Sequence, residues 1–222
     1  TGTSVVLVQA ASADDIIEII VFDVFGVADT VSQSAGGNFA GDISSGGLPV
    51  KVAGKESMWI PSLAMKPTVT NGCSLHTSVE TTSGRPDMIV LDFDKDSDEF
   101  AQFAIAFPKS WNAGTVTFQF YWSGIAATTN VTMTLQGVAF ADNGSIDAVY
   151  GTAVAVTDAA QGAVEELLVS AESGAITIAG SPGDNELVYF RIGRDISEDN
   201  MAGDCRLHGI KLFFNTDAKN DA

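Results

Sequence analysis

Basic side chains are scarce in this 222-residue sequence, which has 11 Lys and Arg against 28 Asp and Glu, for a net charge of −17 at pH 7. Proteins that wrap nucleic acid need clustered Lys and Arg, and so do segments that bind anionic lipid headgroups. Here the basic residues are scattered singly along the chain. The composition therefore excludes a nucleic-acid-binding surface and a polybasic membrane patch.

Cysteine is almost absent, because Cys73 and Cys205 are the only two in the sequence. Two cysteines are too few for a disulfide scaffold, and this low number is consistent with folding in a reducing cytosol. A single disulfide between the two is the alternative. Hydrophobic residues make up 45% of the chain and charged residues only 18%. That balance is typical of a folded globular protein and argues against intrinsic disorder.

Long apolar runs are also missing. The most apolar stretch, 16–27, is interrupted by Glu18 and Asp23 and is shorter than the roughly 20 residues that span a bilayer. We therefore expect no transmembrane helix. The sequence begins at Thr1 without Met or a recognisable signal peptide, so we expect further chain upstream.

Alternation of apolar and polar residues is the dominant pattern. It recurs in four places: Phe118, Phe120 and Trp122; Val131, Met133 and Leu135; Phe103, Ile105 and Phe107; and Ile176 and Ile178. Turn residues separate these segments at short intervals, and only 159–170 is ambiguous between helix and strand. The pattern predicts an all-β protein, with eight to ten strands from Met58 onward forming an antiparallel β-sandwich of jelly-roll type.

The chain is predicted to have three parts. Residues 1–27 read as a β-strand pair that ends an N-terminal β module, 28–57 as a Gly/Ser-rich shaft or linker, and 58–222 as the β-sandwich domain. Isolated apolar residues such as Val31, Phe39 and Ile43 are not needed in a flexible linker. A shaft wound from several identical chains would bury them, so the shaft is favoured.

The densest acidic cluster contains Asp92, Asp94, Asp96 and Asp98, which alternation places on one side of an extended chain. Calcium takes six to eight oxygen ligands, so these four carboxylates are candidate ligands for a calcium loop. Gly and Glu are absent from the positions where an EF-hand requires them. A solvated turn between two strands is the simpler interpretation, and no other metal is expected.

Histidine is represented only by His76 and His208. Together with the two cysteines they suggest a zinc site only weakly, because the spacing of known zinc ligands is not reproduced. Arg191 and Arg194 are candidates for an anion clamp, but surface pairing of these arginines with Asp195 and Glu198 is the preferred interpretation. The sequence contains no recognisable catalytic motif, and we expect the protein not to be an enzyme.

Four aromatic residues, Trp59, Trp111, Tyr121 and Trp122, are candidates for a sugar-stacking platform, because flat rings bind the apolar faces of pyranoses. The alternative is that they belong to the core or to a subunit interface.

Several segments resemble the C-terminal region of tail-fibre-like virion proteins of tailed bacteriophages, particularly marine ones. They are Met-Trp-Ile-Pro at 58–61, Met-Lys-Pro-Thr at 65–68, Asn-Gly-Cys at 71–73, Arg-Pro-Asp at 85–87, Leu-Asp-Phe-Asp at 91–94, and the longer stretches 104–112, 135–142 and 206–214. The opening, 14–31, is similar to the end of small β modules that precede fibre shafts.

The resemblance implies a non-enzymatic virion protein, part of a homotrimeric tail fibre that is assembled in the bacterial cytoplasm with other virion proteins and attaches to a host surface glycan or protein. It supplies no site residues. The alternatives are a capsid decoration protein, a free-standing carbohydrate-binding β-sandwich and, as a third class, an enzyme that depolymerises surface polysaccharide.

Overall fold

The computed structural model describes residues 12–14, 16, 44–45, 48–49, 53–164, 166–183 and 185–217. The chain divides into two compact units, Thr1–Val50 and Lys51–Ala222. In the first unit, strands β1 (Ser44–Ser45) and β2 (Leu48–Pro49) form an antiparallel pair. The predicted strand pair at 1–27 and most of the predicted shaft at 28–57 lie outside the described residues.

The second unit is an antiparallel β-sandwich of jelly-roll type, which confirms the predicted fold class. Its strands are β3 (Gly54–Pro61), β4 (Lys66–Pro67), β5 (Thr77–Glu80), β6 (Asp87–Phe93), β7 (Glu99–Ala106), β8 (Trp111–Ser123), β9 (Asn130–Phe140), β10 (Val154–Ala159), β11 (Leu168–Val169), β12 (Leu187–Arg194) and β13 (Cys205–Thr216). The helical structure among the described residues is a single 3₁₀ turn at Ser62–Ala64. No helix in this part of the chain has the length and apolarity needed to cross a membrane.

The strands form two sheets. One has the order β10-β9-β12-β7-β4, and the other has the order β11-β8-β13-β6-β5. Two strands pair with the same edge of β13. Strand β6 pairs with its first residues, Cys205 to Leu207, and strand β3 pairs with the rest, Gly209 to Thr216. We refer to the two as the five-stranded sheet and the β13 sheet.

The core lies between the two sheets and follows the predicted alternation. Phe118, Phe120 and Trp122 of β8 are fully buried, and so are Val131, Met133 and Leu135 of β9. Burial of one such large side chain stabilises the fold by about 1.5–3 kcal/mol. The indole N–H of Trp122 donates to Asp158 Oδ2 at 2.7 Å, so its polar group has a partner in the five-stranded sheet.

Arg194 is the exception to an apolar core. The residue is 1% exposed, and its guanidinium donates to both carboxylate oxygens of Asp199, at 2.7 and 3.2 Å. It also donates to the carbonyl oxygens of Phe93, Met201 and Gly203. The expected surface pairing with Asp195 and Glu198 is therefore wrong for Arg194, because β12 turns this side chain inward, where burial requires a fully satisfied guanidinium.

The sandwich begins earlier than predicted. Gly54 to Ser57 continue β3 and pair with Thr216 to Phe213 of β13, so these four residues belong to the sandwich and not to the preceding segment. Their sequence has no apolar alternation of its own, and partner strand β13 provides the pairing that makes them a strand.

Candidate functional site

A groove of about 560 Å³ crosses the outer face of the β13 sheet, on the side away from the core. We call it the aromatic groove. It is lined by Ser57, Trp59, Met88, Tyr121, Leu167, His208 and Lys211. A second depression of about 330 Å³ shares Met88, Leu167 and His208 with it and extends the groove toward Glu80 and Arg206.

Strand alternation places the two aromatic side chains of the groove. In β3, Ile60 is buried and Trp59 faces outward with 48% of its surface exposed. In β8, Phe120 and Trp122 point into the core, and Tyr121 between them points out. The rings of Trp59 and Tyr121 meet edge to face, with centroids 4.9 Å apart and an interplanar angle of 83°. Tyr121 thereby holds the Trp59 ring while leaving a large part of it open to solvent.

Gly209 of β13 makes this contact possible. It lies opposite Tyr121 in the sheet, between the strands that carry the two rings. A Cβ atom at this position would lie 2.6 Å from Cζ2 and 2.7 Å from Cη2 of Trp59. Contacts below 3.0 Å do not occur for real Cβ atoms, so the Trp59 ring crosses β13 at a point where only glycine leaves room.

The polar groups beside the rings have partners within the chain. His208 Nε2 and Ser123 Oγ share a hydrogen bond of 3.1 Å. Gln119 Nε2 donates to the carbonyl oxygen of Ser170 at 2.8 Å. Burial lowers the pKa of His208, and Arg206 lowers it further, so the neutral imidazole is favoured. The centre of the groove is therefore flanked by ordered, uncharged hydrogen-bonding side chains.

One end of the groove is positively charged and aromatic. Lys55 Nζ lies 4.9 Å from the centre of the Phe213 ring, and Lys211 Nζ lies 5.4 Å from the centre of the same ring. Lys55 also forms an ion pair with Glu172, which accepts a second hydrogen bond from Thr117. These two hydrogen bonds lower the pKa of Glu172 and keep it ionised.

The opposite end has mixed charge. Arg206 Nε donates to Asp92 Oδ1 at 3.1 Å, with both side chains partly exposed. Glu80 and Glu166 line the same depression. The aromatic groove thus combines a flat apolar centre with charged groups at both ends.

The predicted calcium ligands do not converge in the structure. Each of the four carboxylates has its own partner: Asp92 accepts from Arg206, Asp94 from the backbone N–H of Asp96, Asp96 from Lys95, and Asp98 from the backbone N–H of Ile196. Among the described residues no group of three or more His, Cys, Asp or Glu side chains could hold a metal ion. Calcium binding by this loop stays a prediction.

The cysteines and histidines that weakly suggested a zinc site form no metal-binding group among the described residues. Cys73 and Cys205 are both free and buried, and burial raises the pKa of Cys73 to about 12, which keeps it a neutral thiol. His76 Nε2 lies 3.0 Å from the carbonyl oxygen of Ser62. His208 belongs to the aromatic groove instead.

A third depression, of about 370 Å³, lies on the outer face of the five-stranded sheet. Its walls include Phe140 and Tyr189, whose ring centroids are 5.6 Å apart. Next to it the Arg191 guanidinium stacks between Phe100, at 4.4 Å, and Tyr150, at 5.2 Å. Arg191 and the buried Arg194 therefore lie on opposite faces of β12 and do not form the predicted anion clamp.

The structure divides the four predicted platform aromatics into two pairs. Trp111 and Trp122 are core residues, 4% and 0% exposed, whereas Trp59 and Tyr121 share the aromatic groove. Sequence analysis did not identify His208 and Lys211 as groove residues. The strong apolar alternation of β8 could have indicated that Tyr121 faces outward, but no signal in the sequence joins it to Lys211.

No protein-family model and no curated protein sequence matches the chain. Solved structures do. The isomalto-dextranase of Arthrobacter globiformis T6, complexed with panose, is similar at 20% identity and a TM-score of 0.42, over 70% of this chain and 23% of that one. The chain therefore spans about a quarter of the length of that protein.

Two further structures illustrate the range of the likeness. A carbohydrate-binding module specific for non-crystalline cellulose is 15% identical over 66% of this chain and 85% of that one, with a TM-score of 0.42. The enzymatically active domain of tailspike protein 4 of bacteriophage CBA120 is 9% identical over 71% of this chain and 19% of that one, with a TM-score of 0.31. Likenesses this distant concern the architecture and do not identify a ligand for this chain.

Proposed function

We propose that the β-sandwich is a glycan-binding domain whose ligand lies in the aromatic groove, with Trp59 as the stacking platform. The observation that carries the proposal is the exposure of Trp59: a large indole ring is held in a fixed orientation by Tyr121 and Gly209, yet is 48% open to solvent. Exposing such a ring to water is less favourable in free energy than burying it in the core. A ligand that covers the ring offsets this cost.

The chemistry of the groove suits a saccharide. The axial C–H groups of a pyranose ring form an apolar face that packs on an indole, and its hydroxyls need hydrogen-bonding partners at the edge of the ring. Ser57, His208 and Lys211 surround Trp59 and supply such partners. The proposal is for binding and includes no catalytic step.

The predicted tail-fibre role provides a biological setting for this proposal. In a phage fibre, a domain of this kind would bind a polysaccharide of the host surface and position the particle for infection. This role, the virion location and the homotrimer stay predictions from the sequence resemblance.

An interface between copies of this chain is the second candidate for the same surface. Apolar side chains other than Trp59 are exposed there: Val164 is 53%, Leu167 62% and Val169 43% exposed. Val169 lies opposite Tyr121 in the sheet and therefore extends the apolar surface beside the platform. Such a patch is also typical of subunit contacts.

A glycan array distinguishes the two candidates. The wild-type chain is compared with Trp59→Ala and with Tyr189→Ala, which removes an aromatic ring from the outer face of the other sheet. We expect Trp59→Ala to weaken binding of the best saccharide by at least about tenfold, because truncating a central aromatic residue typically costs about 2 kcal/mol or more. Tyr189→Ala should bind like the wild type.

Two results would contradict the proposal. The first is an array on which the wild type binds no saccharide. The second is a saccharide whose binding is unchanged by Trp59→Ala. If the array is empty and Trp59→Ala also converts an oligomer into monomers in light scattering, the aromatic groove is a subunit interface.

A further inference from the structure

We infer that the saccharide bound in the aromatic groove carries a single negative charge, and that Lys211 is the residue that binds the charged group. The chemistry is that of a uronic acid carboxylate or a sulfate monoester. This inference rests on the proposed function and adds the class of saccharide to it.

The charge balance of the surface supports the inference. Of the three Lys and Arg side chains at the groove, Lys55 is paired with Glu172 and Arg206 with Asp92. Lys211 has no carboxylate partner among the described residues. The Lys211 ammonium group is therefore available to an anionic ligand at the groove.

The position of Lys211 is the second argument. It lies directly opposite Trp59 in the ladder between β3 and β13, and it faces outward beside the ring. Two neighbouring polar side chains are engaged within the chain, His208 with Ser123 and Gln119 with Ser170, and Ser57, which also lines the groove, is uncharged. Lys211 is therefore the charged donor that remains for a ligand stacked on Trp59.

The Phe213 ring provides the third argument. Two ammonium groups, those of Lys55 and Lys211, lie near this one ring, and within the described part of the chain only one carboxylate, that of Glu172, forms an ion pair with either of them. This end of the groove has a local excess of one positive charge. A ligand with one negative charge neutralises it through a charge-assisted hydrogen bond.

The overall charge of −17 does not prevent this contact. Repulsion between the whole protein and an anionic glycan is screened over about 8 Å at physiological salt. A hydrogen-bonded contact between Lys211 and a carboxylate or sulfate oxygen is much shorter than that distance and is screened less.

The experiment uses an array of oligosaccharides that contain uronates or sulfate esters, each beside its neutral counterpart made by carboxyl reduction or desulfation. The full chain is compared with its variants Trp59→Ala, Lys211→Gln, Lys211→Arg and Lys66→Gln. The last variant removes the same charge from an exposed site on the five-stranded sheet. Thermal melting of each variant verifies folding.

We expect the wild type to bind the charged member of a pair about five- to tenfold more tightly than its neutral counterpart. Lys211→Gln should lose this difference, whereas Lys211→Arg and Lys66→Gln should retain it. The carboxyl-reduced and desulfated arms show which anionic group is recognised.

Other outcomes overturn the inference at different levels. If neutral and charged saccharides bind equally and Trp59→Ala abolishes both, the inference fails and the proposed function stands. If the preference for charge persists in Lys211→Gln, the assignment to Lys211 is wrong. If the wild type binds nothing on the array, the proposed function fails together with the inference.

Discussion

At the scale of single residues, the polar side chains around Trp59 are positioned by partners of the chain itself. His208 is the best example, because its hydrogen bond to Ser123 and its neutral state both depend on partial burial in the outer face of the sheet. A neutral imidazole also avoids placing another positive charge beside Arg206. His208 therefore lines the groove and also contributes to the stability of the sandwich.

This coupling predicts a pH effect on stability. The pKa of folded His208 is lowered by burial and then by Arg206, with Asp92 acting in the opposite direction, so the unfolded chain binds the proton more readily. Its contribution to stability is complete above the unfolded pKa of about 6.5 and decreases as the pH falls below that value.

The measurement is the thermal midpoint from pH 8 to pH 5. Because carboxylates also begin to titrate at the lower end of this range, the informative quantity is the difference between wild type and His208→Gln. We expect the wild type to lose more stability than the variant as the pH falls. Parallel curves would show that protonation of His208 is not linked to folding.

At the scale of the strands, the aromatic groove depends on how closely β3, β13 and β8 approach one another. Gly209 lies where the Trp59 ring crosses β13, and a Cβ there would also lie 2.6 Å from the carbonyl oxygen of Ile60. Because that oxygen belongs to the backbone, the strand pair itself would have to move.

Gly209→Ala is therefore expected to destabilise the domain by about 1–3 kcal/mol, the usual cost of forcing extra volume into a packed site. It should also displace Trp59 and weaken saccharide binding. Chemical denaturation measures the first effect and binding the second. Gly54→Ala is the matched control, because it lies in the same strand pair and its Cβ would contact nothing within 4 Å. Equal stability of the two variants would contradict this account of Gly209.

The strands also show how far the sequence could predict the structure. Alternation correctly identified the core faces of β8 and β9. It would not have identified the core face of β13, where a register shift between Leu207 and Gly209 places both Leu207 and Ile210 inward and leaves Lys211 on the outer face. A strict period of two from Cys205 would have buried Lys211.

Two other segments depended on long-range pairing and could not be predicted locally. Ile176 and Ile178 are buried as alternation indicated, but apart from isolated bridges their segment has no strand partner. The ambiguous stretch 159–170 contains the short strand β11, which forms because it pairs with Trp122 and Tyr121 of β8. In both cases the partner residues lie 41 to 60 positions away in the sequence.

At the scale of the whole molecule, the sequence predicts that several copies of the chain assemble. The first unit, Thr1–Val50, carries the isolated apolar residues that favour a shaft built from several chains. We expect light scattering of the full chain to show about three times the 23.1 kDa chain mass, and the 51–222 domain to dissociate or associate more weakly.

The truncation begins at 51 because a start at Met58 would remove the part of β3 that pairs with Phe213 to Thr216. If both forms are monomers, the prediction of a trimeric shaft is wrong. If both are trimers, the sandwich itself carries the interface, and the exposed apolar patch around Trp59 is the first region to test.

The central claim is that a saccharide covers Trp59, and acrylamide quenching of tryptophan fluorescence tests it most directly. Trp111 and Trp122 are buried, so collisional quenching reports mainly on Trp59. The account predicts that the best saccharide from the array protects the fluorescence from acrylamide, with a midpoint equal to its Kd, and that Trp59→Phe abolishes the effect. A saccharide that binds while Trp59 stays fully quenchable would contradict the account and place the binding site elsewhere on the molecule.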